Sequence, residues 1–303
     1  MSSSRRSPPT QRVIALLDHV LAHPGEQFGL SELSRRLGIS KPTCLGIVST
    51  LSDTGWLVCD AQSRAYRIGP ALVAAARLAR RAVPGAEVAE RHLADLATQY
   101  GSSCSASGVI GDEIVVLANV RPDGRTDGPD PAARYPFAPP VGLMYVLWDS
   151  DRAVERWLGI RPALPVTLDR EHLRRVVSEC RSRGYLVEGL TEVGRRLHTL
   201  MAGVAAYDLP DEVRDLVGEM VSTLGERVYL GAELTARGKH PTHLLAAPTY
   251  DRNGRQELVV TLGVGDSITG AEISRRGKAL MATAAAITEE AGGVPPRREA
   301  AAR

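Results

Sequence analysis

The chain has 303 residues, 44% of them hydrophobic and 24% charged, which excludes a disordered or collagen-like protein and suits two domains of ordinary size. Its formal charge of +2 is small, yet residues 1–85 hold eleven Arg or Lys against five Asp or Glu. That surplus of six leaves the rest of the chain four negative. A basic head on a mildly acidic body is therefore expected, suited to a polyanionic partner held by the head alone.

The opening MSSSRRSPPT reads as a disordered arm over 1–9. Arg5, Arg6 and Arg12 there could touch a DNA backbone or serve only solubility. Val13, Leu16, Leu17, Val20 and Leu21 share one face of a first helix, which Pro24-Gly25 ends. The most informative stretch follows, residues 30–56, LSELSRRLGISKPTCLGIVSTLSDTGW. Ser31 is expected to cap a second helix, Leu33 and Leu37 lie on one face of it, and Gly38 suits the left-handed turn that leaves it. Ser40 caps a third helix, in which Pro42 is tolerated because first-turn amides have no helical partner.

Cys44, Ile47, Val48 and Leu51 form the i, i+3, i+4, i+7 stripe of that third helix. Lys41, Thr43, Leu45, Gly46, Ser49 and Thr50 are left facing outward. A helix-turn-helix of this kind places its second helix in the major groove of DNA. Trp56–Cys59 and Tyr66–Ile68 then read as two strands around Asp60–Arg64, a wing that sets Arg64 and Arg67 near phosphates or a minor groove. In this reading Lys41, Pro42, Thr43, Leu45, Gly46, Ser49 and Thr50 enter the groove with Ser40 at the helix start. Ser31, Arg35, Arg64 and Arg67 position the module on phosphate.

After Gly69-Pro70, a small-residue helix with Leu72, Ala75, Ala76 and Ala79 on one stripe forms a linker over 70–85, and a further helix runs from Ala86 to Tyr100. The texture then changes. Ser103–Val109 and Glu113–Val120 predict a hairpin turning at Gly111-Asp112, followed by a Pro/Gly/Asp-rich loop, Arg121–Arg134. A helix is predicted to begin near Val141 and another over Asp169–Arg183, with Tyr185–Val187 as the next strand. Thr242–Tyr250 and Glu257–Val264 read as strands around the turn Asp251–Gly254, and a last helix spans about Thr269–Glu290. Together these predict an α+β domain with an antiparallel sheet over 86–291, able to enclose a small molecule, and a disordered tail over 292–303.

No apolar run nears the roughly 18 residues of a membrane span. Four scattered cysteines (Cys44, Cys59, Cys104, Cys180) read as reduced thiols of a cytoplasmic protein. No GxSxG elbow, P-loop or dinucleotide fingerprint occurs, so neither enzyme activity nor a cofactor is expected. His240 and His243, in a loop entering a strand, lack neighbouring Cys or carboxylate, so no metal site is expected either.

In this order the motifs LSELSRRLGISKPT, YRIGPALVAAA, GDEIVVLANV, RGYLV and LLAAPTYDRNG resemble the IclR family of bacterial transcriptional regulators. The resemblance covers about residues 10–187 and 242–291. It implies a winged helix-turn-helix over 10–69, a GAF-like effector domain, palindromic operator DNA as partner, and a homodimer or dimer of dimers. It also implies control by a small metabolite, often an acid or aromatic compound, and a less polar pocket here would favour an apolar or aromatic one. The implied effector contacts are Pro139, Gly142, Leu143, Met144, Glu188, Leu244, Ala246, Thr261 and Gly263.

Three departures stand out. Leu45-Gly46 replaces polar or basic recognition residues, Phe137–Met144 lacks the family's threonine and lysine, and residues 188–241 read as an inserted helical hairpin. Its helices, Leu190–Ala206 and Pro210–Leu224, could lid a pocket, meet another subunit or merely decorate the fold. The alternative is a DNA-binding regulator whose C-terminal domain only oligomerises, without a ligand.

Overall fold

The computed structural model describes residues 7–23, 25–81, 84–123, 134–139, 141–162, 168–189 and 228–296. The chain divides into two compact units, Met1–Ala82 and Val83–Arg303. Arg5, Arg6 and both predicted helices of the 188–241 segment lie outside the described residues, as do Pro140 and most of the Arg121–Arg134 loop.

The first unit runs α1 (Pro8–Leu21), β1 (Phe28–Gly29), α2 (Leu30–Arg36), α3 (Lys41–Asp53), β2 (Leu57–Cys59), β3 (Ala65–Ile68) and α4 (Pro70–Arg81). Leu16, Val20, Phe28, Leu33, Ile39, Cys44, Val48 and Leu57 close its core. The stripe predicted on α3 therefore faces inward, because apolar residues three and four apart share the side that leaves water. β1 is an element that the sequence pattern did not reveal. Its two residues pair with β3, Phe28 opposite Tyr66 and Gly29 opposite Ala65, giving a three-stranded sheet in the order β1-β3-β2.

That pairing corrects the expected cap. Gly29 is held extended at the start of α2, the helix begins at Leu30, and Ser31 lies exposed inside the first turn with no capping bond. The arm is likewise shorter than 1–9. α1 starts at Pro8, where a missing N–H costs a helix nothing.

The second unit is built on a six-stranded antiparallel sheet in the order β6-β5-β4-β9-β8-β7. Its strands are β4 (Cys104–Ile110), β5 (Glu113–Val120), β6 (Arg134–Pro136), β7 (Leu186–Gly189), β8 (Lys239–Tyr250) and β9 (Gln256–Thr269). Because side chains alternate along a strand, the sheet has two differently covered faces. On one, α5 (Pro84–Tyr100) and α8 (Gly270–Glu290) pack Leu93, Leu96, Ile273, Leu280 and Ile287 against Cys104, Leu245, Leu258 and Leu262. Arg91 and His92 of α5 both reach the Glu290 carboxylate at the end of α8, at 2.5 and 2.7 Å.

On the other face, α6 (Asp151–Leu158) and α7 (Arg170–Arg183) join a second core of Leu147, Trp157, Val176, Cys180, Leu186, Ala246 and Val259. α6 is absent from the sequence reading. α7 follows it closely, with the Asp169 carboxylate accepting the amides of Glu171 and His172 at 2.9 and 3.0 Å. Among the described residues no helix is long and apolar enough to cross a membrane.

Four further expectations are corrected here. The helix predicted near Val141 is a single 3-10 turn, Leu143–Tyr145, entered through Gly142 at φ 110. A Cβ at Gly142 would meet the Phe137 ring at 2.8 Å, so a side chain has neither the conformation nor the room. The segment delimited as 188–241 is not inserted at its ends. Glu188 and Gly189 belong to β7, Val228 bridges to Glu188, and Lys239–Pro241 already belong to β8.

His240 and His243 accordingly stand within a strand rather than a loop. The tail is also anchored past residue 292, since Gly293 donates to Thr288 and Val294 to Asp251 through backbone bonds of 2.7 and 3.0 Å.

Candidate nucleic-acid interface and effector face

In the first unit, α3 presents its polar side to solvent on a closed core. Lys41, Pro42, Leu45, Gly46, Ser49 and Thr50 are exposed and Thr43 is half-buried, whereas Cys44 and Val48 are wholly buried. Ser40 caps the helix as expected, its Oγ accepting the Thr43 amide at 3.4 Å and sharing a hydrogen bond of 2.8 Å with the Thr43 hydroxyl. Thr50 donates to the Gly46 carbonyl at 2.9 Å. Arg35 is exposed on α2, and Arg36 is drawn instead to Glu32 at 2.7 Å and to the Phe28 ring.

The wing is organised by Asp60. Its Oδ1 accepts the amides of Gln62 and Ser63 and the Ser63 hydroxyl at 3.1, 2.7 and 2.8 Å. These bonds, those from Ser63 foremost, hold its carboxyl below the ordinary carboxylate range. The loop then closes through Arg64, whose amide donates to the Asp60 carbonyl and whose φ is +57. No other non-glycine residue among those described has a positive φ. Its guanidinium and that of Arg67 on β3 are both exposed.

A histidine pair lies on the same unit, away from these side chains in sequence. His23 Nδ1 donates to the His19 carbonyl at 2.8 Å, both rings pack on Phe28, and His19 Nε2 is buried without a hydrogen-bond partner among the described residues. Burial first, then His23 and Arg36, push the His19 pKa below its ordinary 6.5. Neutral His19 in the folded state thus supports stability above pH 6.5, and that support is lost as pH falls below 6.5 toward the depressed folded value. Calorimetry of the intact chain is expected to show a transition moving to lower temperature as pH drops through this window, and His19→Leu is expected to flatten the dependence. An unflattened profile would place the titrating group elsewhere.

In the second unit, the sheet face opposite α5 and α8 gathers most of the expected effector residues into adjacent cross-strand rows. Glu188, Leu244 and Gly263 form one row. Leu186, Ala246, Thr261, Ser105 and Asn119 form the next, and Val259, Ser107 and Val116 the one after. Met144 of the 3-10 turn and Leu244 both pack against the second core, to which Ala246 belongs. Gly142 and Leu143 are buried in the second core, where they pack rather than line open space, and Pro139 is buried in the preceding segment.

Sequence reasoning missed the polar members of these rows. Ser105 Oγ meets Thr261 Oγ1 at 2.7 Å, Ser107 Oγ meets the Tyr145 hydroxyl at 2.7 Å, and Asn119 Nδ2 is buried with no partner among the described residues. Only their register beside Thr261 could have pointed to them, and register is a property of the folded sheet. Burial pushes the Tyr145 hydroxyl up to about 12, so it stays protonated and able to donate. Gln256 holds the turn carrying Tyr145, donating to the Met144 carbonyl at 2.7 Å and accepting the Trp148 amide at 3.2 Å. A separate depression of about 420 Å³, lined by Asp149, Ser150, Arg152, Arg156 and Arg255, shares no residue with this face.

Solved structures similar over nearly the whole chain supply the fold. An IclR transcriptional regulator from Alicyclobacillus acidocaldarius is 20% identical with a TM-score of 0.63, covering 95% of this chain and 100% of its own. The Thermotoga maritima IclR is 18% identical with a TM-score of 0.60, at 93% and 98% coverage. An IclR homolog from Microbacterium hydrocarbonoxydans, complexed with 4-hydroxybenzoate, is 16% identical with a TM-score of 0.60, again at 93% and 98% coverage. No curated protein matches the sequence. Residues 9–61 match the family model of the IclR helix-turn-helix domain.

Residues 9–61 thus form an IclR-type helix-turn-helix domain, and the chain as a whole has the fold of the solved IclR regulators. Within the matched span α2 and α3 are the helix-turn-helix, and the match ends at Ala61, in the turn between β2 and β3. Arg64 and Arg67 lie just beyond it.

Proposed function

We propose that this regulator binds operator DNA as a homo-oligomer, with α3 in the major groove and the wing on the backbone, and answers to a small metabolite held on the polar rows of the second unit's sheet. The observation that carries the reading is the outer face of α3, largely exposed from Lys41 to Thr50 on a helix whose inner side buries Cys44, Val48 and Leu51. Lys41, Pro42, Thr43, Leu45, Gly46, Ser49 and Thr50 face the bases, with Ser40 at the helix start, while Ser31, Arg35, Arg64 and Arg67 contact phosphate. Duplexes of random sequence, enriched by the purified full-length chain, test this. Binding is expected to weaken steeply with salt, and a chain that enriches nothing even in dilute buffer would end the reading.

Ligand sensing rests on the buried Asn119 amide, without a partner among the described residues, beside the Ser105–Thr261 pair on the face that carries Leu186, Leu244 and Val259. An orphaned donor of this kind costs about 1–3 kcal/mol, which a ligand acceptor would recover. Such a face suits an apolar or aromatic body carrying one polar substituent, bounded by Glu188, Ala246 and Gly263. Thermal shift against monocyclic aromatic acids and their neutral analogues, 4-hydroxybenzoate among them, is expected to find a stabilising compound whose effect Asn119→Leu abolishes. A flat response across the panel would favour a second unit that only oligomerises.

The ligand would act by preferring one arrangement of the paired DNA-binding units, since it shifts an equilibrium only by its differential affinity. Catalysis is not part of this reading. Cys104 and Cys180, both pushed up to about 12 by burial, remain inert thiols at neutral pH.

A further inference from the structure

Beyond Lys41, the outer face of α3 lacks the side chains that ordinarily read bases through paired hydrogen bonds. Between Lys41 at its start and Asp53 at its end it carries no Arg, Asn, Gln, His or Glu. Two of its hydroxyls are already engaged within the helix, Thr43 with Ser40 and Thr50 with the Gly46 carbonyl. In the middle of the face stands Leu45, a large apolar side chain left 47% exposed, and of the unit's exposed large apolar residues, with Ile14, Val73 and Leu78, it is the one on α3. Beside it Gly46 has open space, with nothing within 4 Å of where a Cβ would lie, so an object can approach the helix backbone there.

In the major groove the edges of adenine, guanine and cytosine offer hydrogen-bonding groups, and only the C5-methyl of thymine offers an apolar surface. We propose that this regulator selects its operator by seating Leu45 on the C5-methyl group of a pyrimidine, with Gly46 admitting the base-pair edge. The inference rests on the DNA-binding reading above and deepens it. The chemistry recognised is a 5-methylpyrimidine, which thymine supplies and 5-methylcytosine shares.

The test uses the full-length chain and duplexes that it enriches from a random pool, resynthesised with deoxyuridine replacing thymidine at one position at a time. Only the methyl group is removed. At one position in each half-site, binding is expected to weaken about three- to five-fold per methyl, the factor expected for uncovering one such group. Leu45→Ala is expected to bind the thymidine and deoxyuridine duplexes alike. Because Leu45 is exposed, that variant should keep the parent's helical circular dichroism and thermal midpoint.

At the sensitive position, 5-methylcytosine is expected to exceed cytosine with the parent but not with Leu45→Ala. Indifference to deoxyuridine everywhere, or a deoxyuridine penalty that persists in Leu45→Ala, would overturn the inference while leaving DNA binding intact. Failure to enrich any duplex would instead overturn the reading on which it rests.

Discussion

Replacing Arg64 by glycine is expected to stabilise the first unit and weaken DNA binding at once, two effects that one contact cannot produce together. Arg64 sits at φ +57 in the wing turn, a conformation that costs a residue with a Cβ about 1–2 kcal/mol and glycine little. Relief of that strain, offset in part by glycine's freer unfolded chain, should raise unfolding stability by about 0.5–1 kcal/mol in urea titration. Loss of the exposed guanidinium should lower affinity for enriched duplex about ten-fold or more at moderate salt. It should also reduce the slope of log affinity against log salt by about 0.9 for each head on DNA.

Arg67→Ala, at a residue in an ordinary strand, should show the binding loss without the stability gain. An unchanged salt slope in Arg64→Gly would place this side chain off the phosphates. A residue held in a strained conformation where glycine would be easier is the kind of outlier from which a functional role is argued.

Trp157→Ala should be the most damaging single change in the second unit. The side chain is 1% exposed, fills the second core with Leu147, Val176 and Cys180, and donates through Nε1 to the Val141 carbonyl at 3.2 Å. Truncation leaves a cavity and an unsatisfied carbonyl, costing about 3–5 kcal/mol. For a unit of this size that corresponds to a fall of roughly 10 °C in its midpoint by calorimetry. Trp157→Phe, keeping most of the volume but losing the bond, should cost about 1–2 kcal/mol. Similar midpoints for the two variants would mean that the hydrogen bond, not the packing, holds the turn at Gly142.

How much of this was legible beforehand depends on the range of the forces involved. The buried stripe Cys44–Leu51, the cap at Ser40 and the turn at Gly38 are local, and each follows from spacing and backbone preference within a few residues. α7 was equally readable from Asp169 and its apolar stripe. The cap assigned to Ser31 failed because a two-residue strand, Phe28–Gly29, pairs with β3 some 37 positions away and moves the helix start. Phe28 favours a strand, but one such residue beside a glycine makes no alternation to read. The turn at Leu143–Tyr145 was read as a helix because its residues favour one. The packing of Phe137 and Trp157 around Gly142 overrides that propensity.

The effector face makes the same division. Thr261, Gly263, Leu244 and Ala246 were located by likeness to a family pattern. Ser105, Ser107, Asn119 and Tyr145 join them only because β4 lies between β5 and β9.

From its order of residues alone, then, this protein specified a basic reading head, its exposed helix face and an α+β body, since these rest on periodicity, charge and turns that short segments carry themselves. Which side chains meet on the sheet, which strand ends belong to it and where the wing is strained were decided by tertiary structure. Cross-strand register and close packing join residues far apart in sequence, and no local preference encodes them.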